Sequence, residues 1–249
     1  MELYESILSA AVKLRDDISR LRFRDDRKWV YNPLEYAWGP YTQYAERYGN
    51  SRKRVLFLGM NPGPWGMAQT GIPFGEIEAV SDWMRINAPI SRPSNEHPKR
   101  PITGYECQRS EVSGRRFWGL MKQKFNTPDN FFADNFVLNY CPLVFMEESG
   151  KNLTPDKLTK EEREPLNAVC DVHLKTIIEL LEPKFLVGVG KYAEKKFSLV
   201  ASRFSEEQQN RLKIVSVLHP SPASPAANRG WEAAAEKQLK EASVWTRAR

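Results

Sequence analysis

The sequence predicts an α/β domain built on a parallel sheet with helices on both faces. Three observations predict it. Four short apolar runs, RVLFL (54–58), FVLN (136–139), FLVGVG (185–190) and KIVSVL (213–218), are rich in Val, Leu and Ile, as parallel strands buried on both faces are. Helical patterns such as EPLNAVCDVHLKTIIELLE (164–182) and KYAEKKFSLVASRF (191–204) separate them, and strands alternating with helices favour a parallel sheet. Each run also ends in a loop of Gly, Pro, Asn or His, and the carboxyl ends of such strands are where open α/β sheets bind ligands.

In chain order, Leu3, Ile7, Leu14, Ile18 and Leu21 fall at helical spacing, which predicts an amphipathic helix packed on the domain. Asp16, Asp17 and Arg20 interrupt any apolar core there, so the segment does not read as a signal peptide. The first strand runs into GMNPGPWGMAQTGIPFGE (59–76), with five glycines and three prolines in eighteen residues. Prolines stiffen this loop and glycines permit close approach, which suits a flat, compact ligand. Trp83 to Arg116 is the least regular stretch and is expected to lie over the sheet edge as loops. The second strand ends in Asn139-Tyr140-Cys141-Pro142, the third in Gly188-Val189-Gly190, and the fourth in HPSPASP (219–225). Without internal repeats or a low-complexity linker, residues 1–249 read as one domain.

Composition excludes several classes. At 41% hydrophobic residues with seven tryptophans, the chain can fill a core. No run approaches the roughly 18 apolar residues of a membrane span. Cys107, Cys141 and Cys170 are dispersed and odd in number, which points to free thiols in a reducing compartment. His97, His173 and His219 show no ligand spacing, so neither a metal nor any other cofactor is expected. The net charge of +6 is uneven: residues 97–124 hold seven Lys or Arg against Glu106 and Glu111. A charge excess of that size describes a solvated surface as well as one that binds a polyanion.

The first loop lacks the Lys-Ser/Thr of a Walker loop and the dinucleotide glycine spacing. Taken singly, Phe74 reads as a core residue and Asn61 as a turn residue. Together, however, Asn61, Asn139 and His219 stand at three strand ends and would converge on one crevice beside the aromatic Phe74. An Asn amide offers a donor and an acceptor, matching the O4 and N3–H edge of uracil, and a His can donate to a carbonyl oxygen that gains negative charge. No Ser-His-Asp triad, metal cluster or paired carboxylates stand out.

The residues GMNPGPWGMAQTGIPFGE, SEVSGRRFWG (110–119), FVLNYCPLVF (136–145) with NLTP (152–155), and HPSPASPAANRGWE (219–232) resemble the single-strand-selective monofunctional uracil-DNA glycosylases of the uracil-DNA glycosylase superfamily, over about residues 30–235. The resemblance implies a three-layer α/β/α sandwich with a central four-stranded parallel sheet. It also implies that Phe74 stacks on an extruded uracil, Asn139 reads O4 and N3, and Asn61 positions the attacking water. His219 would stabilise charge on O2, helped by backbone N–H groups near Met60. Gly63 and Met67 match positions bordering C5, where 5-hydroxymethyluracil is accepted and thymine is not. Trp65 stands where the family commonly has phenylalanine, narrowing the pocket wall.

The expected partner is DNA, single-stranded or duplex, that contains uracil, bound by a monomer with no membrane association. Arg109, Arg115, Arg116, Ser221, Ala223 and Arg229 are the expected DNA-contacting positions. Ala223 departs from the family, which typically has a wedge arginine there; Arg229 is the nearest cation. The expected location is intracellular: cytoplasm in a bacterium, nucleus in a eukaryote. Two rival readings are a catalytically idle nucleic-acid-binding module of the same fold and a hydrolase of free nucleosides.

Overall fold

A computed structural model describes residues 2–24 and 26–245. The elements run in the order α1 (Leu3–Ser19), β1 (Trp29–Tyr31), α2 (Pro33–Tyr36), α3 (Trp38–Tyr48), β2 (Val55–Gly59), α4 (Met67–Thr70), α5 (Val112–Phe125), α6 (Pro128–Phe132), β3 (Asn135–Asn139), β4 (Val144–Met146), β5 (Asn152–Leu153), α7 (Lys160–Leu181), β6 (Phe185–Val189), α8 (Lys191–Ala201), α9 (Glu206–Arg211), β7 (Lys213–Val217), α10 (Pro225–Asn228) and α11 (Trp231–Glu241).

The predicted parallel sheet is present, with its four strands in the order β3-β2-β6-β7. Its central pair carries the most apolar runs, and every residue of β2 and β6 is buried. The chain leaves β2 for β3 on one side and later crosses to β6 on the other. The end of β2 is therefore a topological switch point, the place where such sheets open a crevice. Helix α8 packs on β6 and β7, with α7 beyond it, while α11 packs on β7 and α5. Helix α1 buries Ile7, Ala11, Leu14 and Ile18, the spacing of one helical face, and lies on α7 and α3. Its start is fixed by a reciprocal capping box between Glu2 and Glu5.

The structure departs from the sequence reading in three places. The KIVSVL run is an edge strand whose Lys213 and Ile214 are exposed and only Val217 is buried. A second, antiparallel sheet of β1, β4 and β5 was not expected; its strands of three, three and two residues are too short to show a period. The stretch from Trp83 to Arg116 is not loop throughout, because α5 starts at Val112. Nor does it drape loosely. His97 Nε2 lies 3.2 and 3.3 Å from the carbonyls of Glu147 and Glu148, and Tyr31 Oη donates to the Arg100 carbonyl at 3.0 Å. The segment is thus pinned to the small sheet.

Candidate active site at the carboxyl ends of the parallel strands

Gly59 and Asn139 are paired at the ends of β2 and β3. Beyond that pair the two chains stay together, as Tyr140 N donates to Gly59 O and Cys141 N to Met60 O, both at 2.9 Å. This zipper brings the first loop over the end of β3. A Cβ at Gly59 would stand 2.2 Å from Asn139 Oδ1 and 2.8 Å from Phe74 Cζ, so the missing side chain is what lets the amide and the ring close on each other. Gly59→Ala is expected to cost about 1–3 kcal/mol of stability, the range for forcing a methyl into packed surroundings. Chemical denaturation checks this, and an unchanged midpoint would mean that the ring and amide are free to move aside.

Phe74 is buried, and its ring stacks on Phe117 at 4.6 Å between centroids and 14° between planes. Its backbone is left-handed, at φ 53°, which costs a residue with a Cβ about 1 kcal/mol. The turn is held by its carbonyl, which accepts from Trp118 Nε1 at 3.0 Å and from Glu76 N at 2.7 Å. Asn139 Nδ2 donates to Met67 Sδ at 3.1 Å, placing Met67 beside the amide.

Asn61 Nδ2 faces two carbonyls, those of Leu143 at 3.3 Å and Pro62 at 3.4 Å. A carbonyl accepts only, so the amide nitrogen must point at them, and Oδ1 is left as an acceptor. His219 Nδ1 accepts from Ser221 N at 3.1 Å, which places the ring proton on Nε2. Burial lowers the imidazole from its ordinary 6.5 to about 4, so it is a neutral donor at physiological pH. Gly190, at φ 93°, makes room for it: a Cβ there would lie 3.1 Å from that of His219.

Asn61, Phe74, Asn139 and His219 line one cavity of about 510 Å³, together with Met60, Gly63, Trp65, Glu111, Asn152, Thr154 and Ser221, whereas Met67 is buried behind the Asn139 amide and is not among the lining residues. The sequence reading missed Glu111 as a member. Its carboxyl fills a notch left by three glycines: a Cβ at Gly63 would lie 1.9 Å from Oε1, one at Gly66 2.2 Å from Oε2, and one at Gly114 3.0 Å from Oε2. Burial pushes this carboxyl up to about 7; the Gly114 N–H opposes the shift and the charge of Glu76 adds to it. Glu111 and His219 are the only acidic and basic side chains among the lining residues, and burial drives both toward their uncharged forms. The cavity therefore suits a neutral, flat ligand on which charge develops later.

A raised folded-state pKa makes the Glu111 contribution to stability complete below the unfolded value of 4.5 and lost as pH rises through about 7. Glu111→Gln has no such loss. Its stability relative to the wild type should improve by on the order of 3 kcal/mol from about pH 4 to pH 8. Denaturation at both pH values measures this, and parallel pH profiles for the two proteins would contradict it.

The expected surface residues are not equivalent. Arg109 is exposed beside Trp65. Arg115 Nη1 donates to Ser110 Oγ at 3.1 Å. Arg116 is an internal brace, donating to Pro220 O at 3.0 Å and Asn228 Oδ1 at 2.9 Å, and so ties α5 to the second loop. Ala223 and Arg229 are exposed on that loop and just after α10. Among the described residues no group of His, Cys, Asp and Glu is placed to hold a metal ion.

The family description "Uracil DNA glycosylase superfamily" matches residues 46–243. The chain is 46% identical over 239 residues to the single-strand selective monofunctional uracil DNA glycosylase of Bos taurus, covering 96% of this chain and 86% of that one. The Mus musculus counterpart is likewise 46% identical, with 96% and 84% covered. The crystal structure of wild-type Pedobacter heparinus SMUG2 superposes with a TM-score of 0.68 at 17% identity, over 98% of both chains, a likeness of fold. The chain belongs to the uracil DNA glycosylase superfamily, in its single-strand-selective monofunctional family.

Proposed function

We infer that this protein is a monofunctional uracil-DNA glycosylase: it hydrolyses the N-glycosidic bond of uracil in DNA and leaves an abasic site for base excision repair. The observation that carries the reading is the convergence of Asn61, Phe74, Asn139 and a neutral His219 on one cavity. The names of the relatives support it.

In this reading the base is extruded from its strand into the cavity and lies against Phe74. Asn139 pairs with its O4 and N3–H edge, and Met67, held beside that amide, borders C5 together with Gly63. Uracils bearing a polar 5-substituent, such as 5-hydroxymethyluracil, fit that wall better than thymine does. Asn61 Oδ1 holds the attacking water. An amide is too weak a base to deprotonate water early, so bond breaking runs ahead and water meets a sugar close to an oxocarbenium ion. The negative charge passes to the base, where His219 Nε2–H donates to O2, with the backbone near Met60 assisting. A neutral imidazole does this without a proton having to leave the protein. Arg109, Arg115, Ser221 and Arg229 face the phosphates, and Arg116 acts through the loop it braces. Ala223 is too short to fill the gap left in a duplex. The protein acts as a monomer on this reading.

An oligonucleotide with one uracil tests this. Free uracil and an alkali-labile site should form in equal amounts. Release of neither, with the strand still bound, would favour the idle binding module instead.

A further inference from the structure

Two arginines share one ring at the rim of the cavity. The guanidinium carbons of Arg100 and Arg109 each lie 4.9 Å from the centroid of Trp65, and Trp65 itself lines the cavity. Like charges on one ring repel, and among the described residues neither arginine forms an ion pair with a carboxylate. Among the described residues, the one ion pair formed between positions 84 and 121 is Arg92–Glu96.

Arg100 is nonetheless held in place. Its N–H donates to His97 O at 2.9 Å and its carbonyl accepts from Tyr31 Oη at 3.0 Å. The next carbonyl, of Pro101, accepts from the buried Gln69 at 3.0 Å; the same side chain donates to Pro64 O at 3.1 Å in the first loop. Gly150 leaves room for the guanidinium, since a Cβ there would lie 3.3 Å from its Cζ. Its Nη1 donates to Lys99 O at 2.7 Å, while its Nε is buried without a partner. Arg109 reaches the ring from the exposed segment that leads into Glu111. The result is a pair of cations without a counter-ion among the described residues, on an aromatic platform that is also part of the cavity wall.

We propose that Arg100, Trp65 and Arg109 form a strand-holding subsite that grips a backbone phosphodiester next to the nucleotide whose base enters the cavity. Guanidinium groups match the oxygens of a phosphate diester, and stacking on the indole fixes their planes at little entropic cost. The subsite needs only one strand, so it supplies grip where Ala223 supplies no wedge. It rests on the glycosylase reading for its ligand but not for its test.

The test is binding to a uracil-free single-stranded oligonucleotide as a function of salt. Each phosphate contact contributes about 0.7 to the slope of log affinity against log salt on single strands. Because both cations hold one phosphate, Arg109→Gln and Arg100→Gln should each lower that slope by part of this amount, and the double variant by about 0.7 in all. Arg109→Lys, which keeps the charge, should retain the wild-type slope. Arg100 is partly buried, so thermal melting accompanies its variant, and Arg109→Gln alone is decisive because that side chain is exposed. A wild-type slope and affinity in Arg109→Gln would overturn the subsite even if uracil is released normally. A reduced slope in a protein that releases no uracil would uphold the subsite and remove the catalytic reading.

Discussion

His219→Ala is expected to slow uracil release under single-turnover conditions by about 10²–10³, or roughly 2.7–4 kcal/mol of barrier. The ring is neutral, half-buried and locked by the Ser221 N–H on Nδ1. It therefore presents a fixed Nε2–H at the moment when the departing base becomes an anion. A donor aimed in advance at developing charge needs no reorganisation, which is why losing one is expensive. Because its pKa is depressed to about 4, the imidazole stays neutral as pH falls through the ordinary histidine range. The single-turnover rate of the wild type should therefore show no inflection near 6.5 from this residue. A melting curve measured alongside separates this role from a packing one. An unfolded variant would make His219 a core residue, whereas a folded variant with a rate within a few-fold of wild type would remove it from the chemistry.

Asn61→Ala is the second large effect, a loss of about 10² or more in the same rate with strand binding nearly intact. Its Nδ2 is committed to the Leu143 and Pro62 carbonyls, so only Oδ1 is left to hold water, and no other residue of the first loop offers a side-chain acceptor to the cavity. The amide does not create a stronger nucleophile. It places a weak one, and placement alone can account for several orders of magnitude in rate. Stopped or quenched reactions with enzyme in excess measure the step, and binding to a uracil-free strand supplies the control. A variant that loses binding and rate together would make Asn61 a support of the loop rather than the holder of the water.

Much of this was legible in the sequence because the informative residues sit at strand ends. Val, Leu and Ile runs marked the four parallel strands, and ligands bind just beyond the carboxyl ends of buried strands in such a sheet. Asn61, Asn139 and His219 could be placed in one crevice beside Phe74 on that logic, and the resemblance gave Phe74 its stacking role. Glu111 was not legible. Locally it is a residue ahead of a helix, and its burial depends on notches left by Gly63 and Gly66 in one segment and Gly114 in another. Three glycines read separately suggest turns; only their convergence makes a seat for a carboxyl. Gly59 was counted among the glycines that let a ligand approach, although its smallness serves the contact between Asn139 and Phe74. Arg116 was read with its neighbours as surface charge, because sequence cannot tell a phosphate-facing arginine from one that braces two carbonyls and an amide. The small sheet escaped for want of length.

The central claim is that this cavity breaks the glycosidic bond of a uracil held in a strand. The most direct measurement compares uracil release from a single-stranded oligonucleotide with release from free deoxyuridine, at one salt concentration and equal uracil. The strand should be processed at least about 10²-fold more efficiently, because binding energy from phosphates remote from the reacting bond is what brings the base into position. Equal rates on the two substrates, or release from deoxyuridine alone, would contradict the account and make the protein a nucleoside hydrolase.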